Sequence, residues 1–342
     1  MSSPRACLSD MPWHIKQRIV GSVDPLTRIF VRKVSKDLRQ FADRSPSRFT
    51  SVVVTFERCQ VVLKLTYPQE KEAFTIEYRQ TRNSYNRQKR FNWRQIGGQF
   101  DPAEQIVKDL SIIFKHPNSS IDQLTLSSNN CITRQSLKAF TKDKKTFLDT
   151  FERTFSQERP VIKGINIGWP MDQNEMLQML TSIKPTTLDW IKLEATPDNS
   201  MEEVVQTEQF RNADRLAVKN GRLGCLLKRK IGTVTKILNT EATLDDLKDL
   251  LNALLHKNDT KSFNYLLRNV DCDIKDFLFH LYDQYGLMSN SHNQYVIKKN
   301  DSDDYLVILH KDSHLCFTGV DEAFGLDLLA GDYVVMEGDN DN

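Results

Sequence analysis

The residue types that most often do chemistry are present in this chain but poorly arranged for it. His310 and His314 are four apart, the spacing of paired metal ligands on a helix, yet Lys311–Ser313 between them reads as a β-turn that gives them no common face. Six cysteines (Cys7, Cys59, Cys131, Cys225, Cys272 and Cys316) lie far apart without a CxxC, which argues for reduced thiols and against a zinc site or a disulfide framework. No GxSxG, HExxH, P-loop or GxGxxG occurs, so no catalytic residue, metal or cofactor is expected. Two basic stretches remain. From Arg79 to Arg94 six Lys/Arg interleave with Tyr85, Phe91 and Trp93 and no acid, a composition suited to phosphate neutralisation and base stacking on a single strand. The plainer reading is a loop before a helix starting near Pro102. Between Lys219 and Lys230, Gly221-Arg-Leu-Gly224 has the spacing of an RNA-clamping loop without its surroundings, and reads as a turn.

Local signals divide the chain into short elements. Ser9 or Asp10 can cap a first helix with Pro12 in its first turn, and Ile15, Ile19 and Val23 recur on one face. Asp24-Pro25 opens a second helix with Leu26, Ile29 and Phe30 as its stripe. Ser35 can cap a third, with Leu38, Phe41 and Ala42 on one side. Three helices in some 35 residues enclose too little core to stand alone, so they must pack on the following domain, on another chain, or on both. An N-terminal helical cap on a larger fold satisfies that need equally well.

The run Met11-Pro12-x-x-Ile15-x-x-x-Ile19, then Asp24-Pro25-Leu26-x-x-Ile29, then Arg32-x-Val34-Ser35-x-x-Leu38-Arg39, resembles the F-box, with Met11 in place of the family's usual leucine. The resemblance implies docking on a Skp-type adaptor and, through it, a cullin and a RING subunit. It makes Met11, Pro12, Ile15, Ile19, Pro25, Leu26, Ile29, Val34 and Leu38 the candidates for adaptor contact or its support.

A pattern Φ-x-x-Φ-x-Φ recurs after residue 120, at Ile121/Leu124/Leu126, Ile162/Ile165/Ile167, Leu188/Ile191/Leu193 and Ala213/Leu216/Val218. Helical segments fall between, at 137–155, 175–183 and 201–210. A short strand and a helix every 25 or so residues is the arithmetic of a leucine-rich-repeat-like solenoid, although an ordinary α/β sheet also fits. Alternation then turns Gln123, Thr125, Gly164, Asn166, Trp190, Lys192, Arg215 and Ala217 outward, which makes Thr125, Asn166, Trp190, Lys192 and Arg215 candidates for contact with a target. Lys184-Pro185-x-Thr187-Leu188, Ile191-x-Leu193-Glu194 and Glu202-Glu203-Val204-Val205-x-x-Glu208-Gln209-Phe210-x-Asn212-Ala213 resemble the FTH domain of the nematode F-box A family, with Phe210 where that family has tryptophan. That resemblance implies a substrate-receptor role and names no target.

The expected architecture is α/β (α+β): a three-helix F-box over 5–48, a β-hairpin region and basic loop over 50–100, an FTH or leucine-rich-repeat-like domain over 101–290, an antiparallel meander over 291–335 and an acidic tail over 336–342. Two strands within 50–67 around a turn-like Glu57–Gln60, a strand at Thr75–Tyr78, a helix capped by Thr243, and helices near 260–269 and 273–285, the latter stopped by Gly286, complete it. The net charge of +2 hides ten Lys/Arg against four acids in residues 1–50, and eleven acids against Lys311 alone in 301–342. With 39% hydrophobic and 27% charged residues, no run near the roughly 20 apolar residues of a membrane span and no signal-type N-terminus, a cytoplasmic or nuclear location is expected. The resemblances imply a non-catalytic substrate-recognition subunit of a Skp–cullin–F-box ubiquitin ligase, with an unknown target protein and no membrane partner. An F-box scaffold or inhibitor without target turnover, and an RNA-binding protein using residues 79–94, are the other readings.

Overall fold

The computed structural model describes residues 10–23, 27–28, 31–32, 35–57, 60–68, 73–80, 93–98, 101–129, 134–196, 201–227, 234–238, 242–256, 264–268, 274–285, 294–298, 305–311 and 314–320. It is mixed α/β, and its contacts divide it into two compact units: residues 1–169 with 174–189, and residues 170–173 with 190–342. Among the described residues no helix is long and apolar enough to cross a membrane.

The first unit begins with α1 (Trp13–Ser22) and α2 (Lys36–Asp43), with helical residues at 27–28 and 31–32 between them. Pro12 is the N-cap of α1 rather than part of its first turn, and its carbonyl accepts from the Ile15 and Lys16 amides. Ser35 caps α2 as expected, accepting from the Leu38 amide. The buried residues of these two helices are Val20 and Phe41, not the Ile15/Ile19/Val23 stripe. Val20 lies one residue round the helix from Ile19, which is exposed. Asp24, Pro25, Leu26, Ile29, Phe30 and Val34 lie outside the described residues.

The sheet of this unit runs in the order β7-β5-β1-β2-β3-β4, from β1 (Arg48–Glu57), β2 (Gln60–Thr66), β3 (Phe74–Gln80), β4 (Trp93–Gly98), β5 (Ser120–Ser128) and β7 (Gly164–Met171). The two-residue β6 (Val161–Ile162) also pairs with β5. β1 is antiparallel to β2 and parallel to β5. Strand β4 replaces part of the expected basic loop: the open edge of β3 supplies backbone partners, and 93–98 pair with it in parallel. Residues 81–92 lie outside the described residues.

Three helices cover the apolar face. α3 (Pro102–Ile113) is capped by Asp101 and packs on β2 and β3, where the buried Tyr78 hydroxyl donates to Asp109 at 2.8 Å. α4 (Arg134–Phe155) turns Phe147, Leu148, Phe151 and Phe155 inward, as its period predicts. Phe56 of β1 meets Phe140, Phe147 and Trp169 edge-on with centroids 5.3–6.0 Å apart, an arrangement that aromatic quadrupoles favour. α5 (Gln173–Thr181) is held to α4 by Lys144 and Glu175, 2.6 Å apart.

The second unit orders its strands β8-β9-β10-β11-β14-β13-β12: β8 (Trp190–Ala195), β9 (Arg215–Lys219), β10 (Val234–Leu238), β11 (Asn264–Arg268), β12 (Gln294–Lys298), β13 (Tyr305–Lys311) and β14 (His314–Val320). The first four are parallel, and β14, β13 and β12 form the expected antiparallel meander. Two expectations fail here. The segment near 260–269 is strand β11, because ladders on both sides pair its backbone and override a leucine-rich pattern that suits a helix equally. Met201–Phe210 is a 3-10 turn (Val204–Gln206) followed by α6 (Glu208–Asn212), because Thr207 is extended and its hydroxyl caps the Phe210 amide. Strand β10 has no counterpart in the sequence reading. The short α7 (Leu223–Leu226) leads to β10, and α8 (Leu244–Leu255) begins at Thr243 with a complete capping box closed by Asp246. The expected 273–285 helix is α9 (Ile274–Tyr285), and Gly286 lies outside the described residues.

All twelve positions of the Φ-x-x-Φ-x-Φ pattern are buried, at 2% exposure or less. Phe49, Val52 and Val54 repeat the same spacing, are equally buried, and lie opposite Ile121, Leu124 and Leu126 in the ladder. Neighbours across this face share little. Ile191→Ala should cost about 2–5 kcal/mol in urea unfolding, while Lys192→Ala, one residue on, should change stability by no more than about 0.5 kcal/mol. Equal effects would contradict the register.

A second prediction concerns pH. Burial, with the like charge of Asp101 added, pushes the α4 residue Asp143 from 3.8 up to about 6, against a smaller opposing pull from Lys142. Its folded pKa is therefore raised. Between about pH 4 and 6 the folded state keeps a proton that the unfolded chain has released, so stability falls as pH rises through that window. Asp143→Asn should lose this dependence and gain on the parent above pH 6, read as the difference between their urea midpoints at pH 4 and pH 7.5. A constant difference would overturn the assignment.

Candidate interaction surfaces

The residues singled out in the sequence fall into two sets. The first is on α1. Trp13 is 53% exposed and Ile19 36%, while Val20, the residue after Ile19, is 1% exposed. A helix that buries a valine and shows a tryptophan and an isoleucine to water holds its apolar area for a partner. Met11, Ile15 and Leu38 are half-buried and Pro12 is exposed; Pro25, Leu26, Ile29 and Val34 lie outside the described residues. Trp13, absent from the candidates, directly follows Met11-Pro12, and its ring lies 6.0 Å from that of Phe41. A tryptophan in an otherwise polar helix start was the available signal.

Salt links and backbone bonds fix these helices to the sheet behind them. Asp43, ending α2, receives Arg32 at 2.6 Å and Lys115, just beyond α3, at 2.5 Å. Burial pushes the Asp43 carboxyl up, but the hydrogen bonds from Lys115 and Arg32 outweigh it and the pKa is lowered. Two residues of the connection lock directly: the Ser47 amide donates to Ser119 Oγ, and the Ser47 carbonyl accepts from the Ser120 amide, both at 2.9 Å.

The other candidates lie, in each unit taken by itself, on the strand face away from the helices. In the first unit Thr125 and Asn166 are half-buried register partners on β5 and β7. Gly164, expected to point outward, is buried at the start of β7. In the second unit Trp190 is opposite Arg215 and Lys192 is opposite Ala217. Lys192 and Arg215 are exposed and Trp190 is half-buried. Glu194 and Lys219 pair across the same ladder at 2.8 Å.

The remaining chemical candidates resolve differently. Gly221 and Gly224 are required by packing: a Cβ on Gly221 would lie 2.7 Å from Val218 Cγ1, and one on Gly224 would meet the Asp246 carboxylate that closes the α8 cap. His310 and His314 sit on adjacent strands, β13 and β14, opposite Leu315 and Lys311. Among the described residues no group of His, Cys, Asp and Glu could hold a metal ion, and Cys225 and Cys316 are free thiols. Burial pushes the Cys316 thiol up, opposed by its contact with Thr318, which leaves it unsuited to act as a nucleophile.

Two family models match the chain. The F-box domain matches residues 8–50, which contain α1, α2 and their connection to the sheet. The FTH domain matches residues 145–276, from within α4 to the start of α9. No curated protein and no solved structure matches. With both domains present in this order, the chain is a member of the proteins that combine an N-terminal F-box domain with an FTH domain.

Proposed function

We propose that this chain is the substrate-recognition subunit of a Skp–cullin–F-box ubiquitin ligase, acting in the cytoplasm or nucleus. The F-box takes the Skp-type adaptor, which brings the cullin, and the strand face takes the target protein. The chain makes and breaks no bond itself. It raises the effective concentration of a target beside a charged conjugating enzyme, and that converts a bimolecular encounter into a local one. The finer architecture proposed with this role is a three-helix F-box and a leucine-rich-repeat-like array of the Φ-x-x-Φ-x-Φ strands.

The observation that carries the reading is the apolar exposure of α1, at Ile19 on the Ile15/Ile19 side and at Trp13 beside Phe41, inside the F-box match and on helices tied to the sheet through Asp43. Tryptophan is among the residues that dominate binding energy at interfaces, and a preorganised helix loses little entropy on docking. The net positive charge of residues 1–50 favours encounter with an acidic adaptor surface.

Ile19→Asp should abolish co-purification with a Skp-type adaptor at unchanged melting temperature, a loss of about 2 kcal/mol or more of binding free energy. Val20→Ala should do the reverse, lowering stability while the folded fraction still binds. Undiminished binding by Ile19→Asp would sink the docking mode. For the target face, the pair Trp190→Ala and Lys192→Glu should keep adaptor binding and melting temperature. The set of ubiquitylated proteins recovered with the chain should shrink, and an unchanged set would mean that targets bind elsewhere.

A further inference from the structure

The strand register of the second unit sorts its residues by charge. On the face that includes Leu216 and Val218, the two register rows from β8 to β13 read Ile191, Leu216, Thr235, Tyr265, Phe317, Ile308 and Leu193, Val218, Ile237, Leu267, Leu315, His310, with no acid, lysine or arginine. The three alternate rows hold Lys192, Arg215, Lys219, Lys236, Arg268 and Lys311 against a single acid, Glu194. Register partners share a face in parallel and antiparallel ladders alike, and the described charges on that face, Lys192, Arg215 and Lys219 against Glu194, make its β8–β9 end basic.

Among the described side chains of that face, positive charge is left over. Glu194 is taken by Lys219 at 2.8 Å. Among the described residues Lys192 and Arg215, both exposed, have no ion-pair or hydrogen-bond partner. Apolar groups sit among the charges: Trp190 and Leu266 are half-buried, and Leu309 is 42% exposed. A fold with no use for this arrangement loses nothing by mixing signs over the face, since like charges on neighbouring strands repel. We infer that the strand face of the second unit binds an acidic segment of the target, an Asp/Glu-rich or phosphorylated peptide with an apolar residue for Trp190, the register partner of Arg215. Charge complementarity selects the segment and speeds encounter, and apolar burial retains it. A single-stranded nucleic acid has the same charge, but it stacks successive bases on successive aromatic rings, and Trp190 is the one Phe, Tyr or Trp among these register positions.

This inference rests on the target-receptor reading of the same face, so adaptor binding is followed separately in the test. The full chain, bound to its adaptor, is panned against a displayed library of random 12-residue peptides, beside the double variant Lys192→Glu, Arg215→Glu. Peptides recovered by the parent should be enriched in Asp and Glu around an apolar residue. A synthetic copy of the strongest should bind the variant about ten-fold or more weakly, and its affinity for the parent should fall with salt. Melting temperature and adaptor affinity should match in the two proteins. Neutral or basic selected peptides, or equal affinity in the variant, would overturn the inference. So would a dT12 oligonucleotide that displaces the peptide and binds more tightly, which would assign the face to nucleic acid. Loss of adaptor binding with peptide selection intact would instead remove the ligase role and leave the acidic specificity standing.

Discussion

Period-2 burial is the constraint on which the rest of this molecule depends. Each strand that carries the Φ-x-x-Φ-x-Φ spacing commits alternate side chains to the core and leaves most of the others half-buried or exposed. The packing on the buried side is dense, with Phe56, Phe147, Trp169, Ile191 and Leu216 all at 2% exposure or less. A slip of one residue would drive Lys192 and Arg215 into that core and expose Ile191 and Leu216, so the register is strongly specified. It also leaves the exposed positions of the outer face less tied to stability than those of the core. Exposed residues there, such as Lys192 and Arg215, are freer to follow a partner than those of the core.

The N-terminal helices obey the opposite economy. They are too short to bury a core of their own, and α1 gives the fold little beyond Val20. Their position comes from polar ties at the far end: Asp43 between Arg32 and Lys115, and Ser47 stitched to Ser119 and Ser120. Partly shielded charge pairs of this kind add modest stability but fix orientation well. The exposed apolar residues of α1 are thereby held still relative to the sheet of their own unit. A recruiting module needs that geometry, since a tether that swings freely would dilute the effective concentration it is proposed to create.

How much of this was legible in the sequence follows from how each feature is encoded. The strands after residue 120 were readable because both faces are written into a strict apolar spacing, and the caps at Ser35 and Thr243 because one side chain does each job. Phe49, Val52 and Val54 carry the same spacing but precede the repeat by a long insertion, and so passed as half of a hairpin. β10, β11 and β4 were missed because a five- or six-residue strand takes its identity from the ladders on either side, information that no local window contains. The break at Thr207 was present as a capping residue inside a helical run and was outweighed by that run. On α1, one helical position separates buried Val20 from exposed Ile19, and a stripe of isoleucines does not reveal which side faces its neighbour. The basic excess in the alternate rows of the second unit was invisible for a related reason: Lys236 and Arg268 join Lys192 and Arg215 in those rows only once the register of β10 and β11 is known.

The central claim is a division of labour, in which α1 serves the adaptor and the strand face stays open for a target. Hydroxyl-radical footprinting of the full chain, alone and with a purified Skp-type adaptor, tests it most directly. The account predicts strong protection of Trp13, Ile15 and Ile19 on complex formation, with Trp190, Lys192 and Leu309 unchanged. Unaltered labelling of Trp13 and Ile19 in a formed complex, or protection concentrated on the strand face, would contradict it.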